Sequence, residues 1–212
     1  MASLAEQTMH NRVFSQIYER AWRPIFTRGF SLGGSSTADY DRALRAYLAR
    51  PGERRVLDVA CGPGNYAKDA AKGLTGVGSY VGLDYSAAML AQAAHDNHTD
   101  RATFVRGDAH ALPFRSGSYD TVTCLAALYL IPDPLSALDE MVRMLAPGGE
   151  LIVFTSIQSG VAALPGADLV SGVLGLRLFS RTEILDHLRA HELVGLEQTI
   201  TGVGQYVHGR KL

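Results

Sequence analysis

Four features of the chain have the residue types and spacing to handle a ligand: Asp58, the turn Gly62-Pro63-Gly64, Asp84 and Asp108. A Gly-x-Gly turn after an apolar strand lets backbone approach a ligand where a Cβ would collide. A helix opening just beyond it aims unpaired N–H groups at the same place. Residues 56–67, VLDVACGPGNYA, have this form, and Gly62 to Ala67 also fits the loose GxGxxA dinucleotide pattern. The same residues would equally make a tight strand-to-helix turn with no ligand. Asp84 follows Gly64 by 20 residues, at the end of a second apolar run, where a carboxylate can accept both hydroxyls of a ribose. Asp108 closes a third run in RGDAHALPF, and Asp58 stands near the end of the first. Three carboxylates at the carboxyl ends of neighbouring parallel strands would share the crevice in which α/β sheets bind ligands. Extra aspartates would repel a pyrophosphate, whereas a nucleoside with a cationic end suits them.

The elements that must position these residues follow from the hydrophobic pattern. Short apolar runs rich in Val, Leu and Ile at 54–60, 79–85, 102–108, 119–127 and 149–156 read as strands buried on both faces. Helical stretches separate them at 65–74, 86–97 and 134–146, with Ser86 placed to cap the second and Pro134 to open the third. Pro147-Gly148-Gly149 ends the last of these. A helix is also predicted over 180–193, with Ser180 as its cap and Glu183 in capping-box register. Two alternating runs joined through Gly202 and Gly204 then read as antiparallel strands. The pattern predicts a doubly wound, Rossmann-like α/β fold: a mostly parallel seven-stranded sheet, helices on both faces and an antiparallel last strand.

Two regions break the alternation. Residues 1–50 read as a helical cap or substrate cover, interrupted by GGSST at 33–37, ahead of a ligand-binding domain over 51–212. Residues 157–180, rich in Gly, Ser and Leu, read as a lid inserted after strand 5.

Composition narrows the function classes. A formal net charge of −1 gives no polyelectrolyte footprint, so nucleic acid is not an expected partner. The arginines concentrated before Arg55 are interspersed with acids and read as a solvated helical face. Cys61 and Cys124 lack metal or redox spacing and read as buried, reduced thiols. The amino-terminal dozen has no secretory pattern, and the longest apolar stretch, 122–131, is too short to span a membrane, so a cytoplasmic chain with no membrane span is expected. His187 and His191 stand four apart on the last helix, but the sequence offers them no third ligand, and no metal is expected.

VLDVACGPGNYA, GLDYSAAML, GDAHALPF, YDTVTCLAALYLIPDP and LAPGGELIVF together resemble the successive motifs of class I S-adenosylmethionine-dependent methyltransferases. The likeness is greatest to the small-molecule group that includes the ubiquinone and menaquinone biosynthesis C-methyltransferases, and it runs from about residue 54 onward. It implies S-adenosyl-L-methionine as cofactor. Asp58, Gly62 and Gly64 would then line the methionine end, with Ala60 and Cys61 contributing backbone. Asp84 would hold the ribose hydroxyls, and Tyr85 and Met89 would flank the adenine. Asp108 would accept from the adenine amino group, with the Ala109 amide on a ring nitrogen, while Leu125 would close over the cofactor. Tyr18 would reach the cofactor from the amino-terminal helices. Where the family often carries a histidine after the fourth strand, this chain has Tyr129. Tyr129 and His110 are the catalytic candidates, Tyr129 also reading as a wall of the acceptor pocket and His110 as a surface loop residue.

The resulting expectation is methyl transfer to an oxygen or carbon of a small organic acceptor, one with an apolar portion because the lid is mostly apolar. Two readings compete with it. One is a binding module that holds S-adenosylmethionine or S-adenosylhomocysteine without catalysis. The other is a nicotinamide-dependent oxidoreductase, for which a catalytic Tyr-x-x-x-Lys is lacking.

Overall fold

In a computed structural model, residues 37–159 and 176–212 are described. Strand β1 (Arg55–Val59) is buried from its second residue onward, as its unbroken apolar character requires of a central strand. It pairs in parallel with β2 (Ser79–Asp84) on one side and β4 (Tyr119–Leu125) on the other. β3 (Ala102–Arg106) extends the sheet beyond β2, and β5 (Leu145–Ser156) extends it beyond β4. β7 (Gly204–Lys211) runs antiparallel to both β5 and β6 (Leu193–Thr201). The seven strands lie in the order β3-β2-β1-β4-β5-β7-β6. The expected Rossmann-like sheet is present, with one antiparallel strand. Its order reverses between β1 and β4, the switch point at whose carboxyl edge such sheets open a ligand crevice.

Helix α1 spans Thr37–Leu48, α2 Ala67–Gly73, α3 Ala87–Asp96, α4 Pro134–Met144 and α5 Glu183–Ala190. α2 and α3 carry the chain outward from β1 to β3, and α4 carries it the opposite way from β4 to β5. Right-handed crossovers therefore put α4 on the other face. The Ser86 hydroxyl accepts from the Met89 amide at 3.4 Å, and Pro134 begins α4, as expected. The expected cap of α5 does not form at Ser180: Thr182 holds that position and its side chain makes no capping bond. Half of the capping box survives, because the Glu183 carboxylate accepts from the Ser180 amide at 3.2 Å.

α1 begins at Thr37, the last residue of GGSST, and packs against α2. Arg42 is exposed and pairs with Asp39, as a solvated face requires, but Arg45 departs from that expectation. Arg45 donates to Asp41 at 2.7 Å, to Asp69 at 2.8 Å and to the Asn65 carbonyl at 2.8 Å, clamping α1 to the turn that precedes α2. Beyond α1, Arg50 reaches Glu150, a carboxylate buried in β5 that also accepts from the Tyr47 hydroxyl and from Thr121 Oγ1. Tyr40, Tyr206 and Phe154 stack in series, with centroids 5.5 and 4.3 Å apart. Leu44 and Leu48 join the main core. Among the described residues no helix is long and apolar enough to cross a membrane.

Candidate functional site

Asp58 points into the sheet interior. Its Oδ2 accepts from the Tyr80 hydroxyl and its Oδ1 from the Thr123 hydroxyl, both at 2.7 Å. Parallel register explains the arrangement: Asp58 stands opposite Gly82 on β2 and Thr123 on β4. A Cβ on Gly82 would come within 2.8 Å of Cys61 Sγ and 2.9 Å of the Phe104 ring. Burial drives the Asp58 pKa up, the two hydroxyl bonds oppose it, and the Asp84 charge adds to it; the net position is about 6. A carboxylate held this close to neutrality is poised to gain from a cation.

The glycine turn is built on backbone no ordinary residue favours. Ala60 already lies at φ +57°, and Gly62 and Gly64 follow at +55° and +75°. The Cys61 amide donates to the Leu83 carbonyl at 3.0 Å, and the Gly62 amide donates to Asp84 Oδ2 at 2.8 Å. Asp84 Oδ1 accepts from the Ser86 amide at 2.8 Å, so this one side chain joins the turn after β1 to the turn after β2. Burial raises the Asp84 pKa, outweighing the backbone N–H groups that favour its charge. With Gly62 N–H committed to a carboxylate, that amide is not offered to a phosphate, unlike the amides of a dinucleotide-binding turn.

The two glycines do different work. Among the described residues no atom lies within 4 Å of a Cβ built on Gly62. At Gly64 a Cβ would sit 2.7 Å from Asn97 Nδ2 and 3.1 Å from Phe104. Asn97, buried at the end of α3, donates the same Nδ2 to the Pro63 and Ala93 carbonyls. Gly64 thus serves helix–strand packing, and Gly62 serves the opening.

The remaining expected residues take varied places. Asp108 lies two residues beyond β3 and is exposed; its Oδ1 accepts from the His110 amide at 2.9 Å and from His110 Nδ1 at 2.7 Å. The other His110 nitrogen donates to the Pro132 carbonyl, so the ring bridges the loops after β3 and β4. Burial alone would lower the imidazole pKa, but Asp108 and the Pro132 carbonyl raise it on balance. The Asp108 pKa is lowered, chiefly by the His110 amide. Tyr85 is exposed, with the Arg106 guanidinium 5.8 Å from its ring centroid, and Met89 is buried in α3. Ala109 is half-buried, Cys61 is buried with its thiol pKa driven well up by burial, and Leu125 ends β4 just before Ala126 at φ +61°. Tyr129 is buried in the short 3₁₀ turn Leu128–Leu130, whose backbone accepts from the Arg177 amide at 2.9 Å. Tyr18 and most of the expected lid lie outside the described residues.

The structure therefore brings Asp58, Gly62 and Asp84 into one constellation and links Asp108 with His110 on the adjoining loop. Among the described residues none of the three aspartates is paired with Lys or Arg; the His110 contact of Asp108 is their one ion pair. Sequence reasoning missed Tyr80, Thr123 and Asn97. The first two carried a signal, a hydroxyl within an otherwise apolar run, but their convergence on Asp58 depends on strand register.

Comparison with known proteins places this geometry in a class. A family model for a methyltransferase domain matches residues 57–153. An S-adenosylmethionine-dependent methyltransferase structure from Thermotoga maritima superimposes with a TM-score of 0.67 at 19% identity, over 94% of this chain and 99% of that one. An uncharacterized chloroplastic methyltransferase of Arabidopsis thaliana is 33% identical over 165 residues, 73% of this chain and 45% of that protein. A demethylmenaquinone methyltransferase of Lactiplantibacillus plantarum is 38% identical over 107 residues, 49% of this chain and 45% of that protein. This chain spans under half the length of these curated relatives. Over residues 57–153 it carries a methyltransferase domain, and its sheet has the fold of the S-adenosylmethionine-dependent methyltransferases.

Proposed function

We propose that the chain binds S-adenosylmethionine at the carboxyl edge of β1, β2 and β4 and transfers its methyl group to an oxygen or carbon of a small organic acceptor. The observation that carries this reading is the Asp84-fastened turn. Gly62 has no neighbour against its Cα among the described residues, its amide is held by a carboxylate rather than left for a phosphate, and Asp58 lies close by. Asp84 accepts from the backbone N–H groups of Gly62, Tyr85 and Ser86, and a carboxylate's roughly four lone-pair sites leave one for a ribose hydroxyl. Asp58, below the turn, favours the cationic methionine end.

In the reaction the S–CH₃ bond breaks as the acceptor's electron pair attacks the carbon, and the bonding pair stays on sulfur as a neutral thioether. The chain supplies alignment and exclusion of water, a contribution of roughly 7–11 kcal/mol when the geometry is good. The acceptor's proton, where it has one, leaves to solvent or to a base. His110, bonded through both ring nitrogens, fits better as a clasp between loops than as that base. Tyr129 fits as a wall of the acceptor pocket, and the cover expected from the sequence is residues 1–50 with the segment 157–180. The alkene or ring carbons of quinone precursors and phenolic oxygens are the acceptors to try first, because the demethylmenaquinone enzyme is among the relatives.

Isothermal titration with S-adenosylmethionine, S-adenosylhomocysteine and NADH tests the binding step. The sulfonium compound and its product should bind and NADH should not; the reverse result overturns the reading. Asp84→Asn retains one acceptor oxygen but presents an amide N–H to a backbone N–H, and should weaken cofactor binding at least about tenfold. Label from methyl-tritiated cofactor appearing in one acceptor of a phenol and quinone panel distinguishes an enzyme from a binding module.

A further inference from the structure

α4 packs over β4 and β5, and α5 packs over β6 and β7. Where the two helices meet, three side chains with metal-ligand chemistry converge. His187 and His191 stand four residues apart, at the end of α5, on one face, with ring centroids 4.7 Å apart. Asp139 on α4 reaches both of them: its Oδ1 is 2.7 Å from His187 Nε2 and 2.9 Å from His191 Nε2. The three donor atoms lie within 4.8 Å of one another. The sequence alone hides the third partner because it comes from a different helix, 48 residues before His187.

We propose that Asp139, His187 and His191 form a binding site for a divalent transition-metal ion of the zinc type, which staples α5 to α4. Ligands held about 2.0–2.2 Å from one ion stand roughly 3 Å apart, so this arrangement needs only small side-chain rotations to admit one. Two imidazoles at i and i+4 on one helix face, joined by a carboxylate, are a compact tridentate donor set. Nitrogen-rich donors suit zinc, nickel or copper, whereas magnesium and calcium prefer oxygen. Asp139 is 47% and His191 38% exposed, so an ion has a route in and water completes its coordination. The staple has a mechanical use. α5 buries only Ile184 and Leu188 of its own residues, and a bond to α4 would add what that thin apolar contact lacks. The site uses none of the residues of the glycine-turn rim.

Titration of the full chain, free of any affinity tag, with zinc chloride and separately with magnesium chloride tests the assignment. The expected result is one saturable zinc site per chain, no magnesium binding at the same concentration, and a rise in unfolding temperature with zinc alone. His187→Ala and His191→Ala should each weaken zinc binding at least about tenfold, since loss of even an outer-shell partner costs roughly 10–100-fold. Asp139→Asn should behave likewise. His95→Ala, at the separate and exposed His95/His98 pair, should leave zinc binding unchanged. Circular dichroism without metal verifies that the variants fold. Wild-type protein without saturable zinc binding, or undiminished binding by the His187→Ala/His191→Ala double variant, overturns the proposal.

Discussion

At the scale of single residues, Asp58 carries the sharpest energetic consequence. Its folded pKa is about 6 against 3.8 for an ordinary aspartate, so the folded state holds this proton more tightly than the unfolded chain. Its stabilising contribution is complete below about pH 4 and is lost as pH rises to about 6. Above that the ionised group costs about 3 kcal/mol. Asp58→Asn removes that cost while keeping one acceptor for Tyr80, and Thr123 can turn to the Leu57 carbonyl 3.5 Å away. The variant should unfold roughly 5–10 °C above the parent near pH 8, with the gap closing or reversing near pH 4.5. Thermal unfolding at both pH values checks this; an equal gap at both would remove ionisation as the cause. The sequence made Asp58 conspicuous because a carboxylate inside an apolar run demands an explanation. It could not supply Tyr80 and Thr123, since a one-residue change of register would turn either hydroxyl to the opposite face.

At the scale of elements, the glycine turn and the α1 docking site make separable predictions. Gly62 and Gly64 share a backbone conformation but not surroundings. Gly62→Ala adds a methyl group to open space and costs about 1 kcal/mol of backbone strain, so it should weaken S-adenosylmethionine binding far more than stability. Gly64→Ala drives a Cβ against Asn97 and Phe104 and should cost about 2–3 kcal/mol of stability. Parallel cofactor titrations and urea unfolding of the two variants check the split; matching profiles would contradict it. Glu150 lies at the foot of the sheet, and its pKa falls to about 2: burial opposes ionisation, but the bonds from His208, Tyr47, Arg50 and Thr121 prevail. Its stabilisation is present above about pH 4.5 and lost as pH falls toward 2. Glu150→Gln should therefore lower stability at neutral pH by about 1–2 kcal/mol, after discounting for solvent screening, and flatten the acid limb of a stability–pH curve. The α/β alternation and the Ser86 and Pro134 signals were legible because local spacing decides them. The role of α1 was not, because arginines on a helix look alike whether they meet water or, like Arg45, a neighbouring element.

At the scale of the whole molecule, the sheet places its two electrostatic extremes in different settings. Glu150 is satisfied by protein alone, whereas Asp58 is left near neutrality beside an open turn. The first fastens α1 across the sheet; the second holds a destabilised charge that a cationic ligand would relieve. Cofactor binding should consequently stabilise the fold as a unit, because Asp84 already joins the ends of β1 and β2 that the ligand would bridge. Ligand at 100 times its dissociation constant adds about 2.7 kcal/mol, which for a chain of this size raises the unfolding temperature by roughly 5–10 °C. The increment should be larger near pH 8 than near pH 5. Protonating Asp58 below its folded pKa removes the attraction for a positive end, and the sulfonium itself does not titrate. Differential scanning fluorimetry with S-adenosylmethionine at both pH values, on wild-type protein and on Asp58→Asn, measures the effect. The wild type should lose most of the increment on acidification, while the variant should show a small increment indifferent to pH. A wild-type increment that grows on acidification would mean that the charge at Asp58 opposes the ligand, and would reassign the methionine end to other residues.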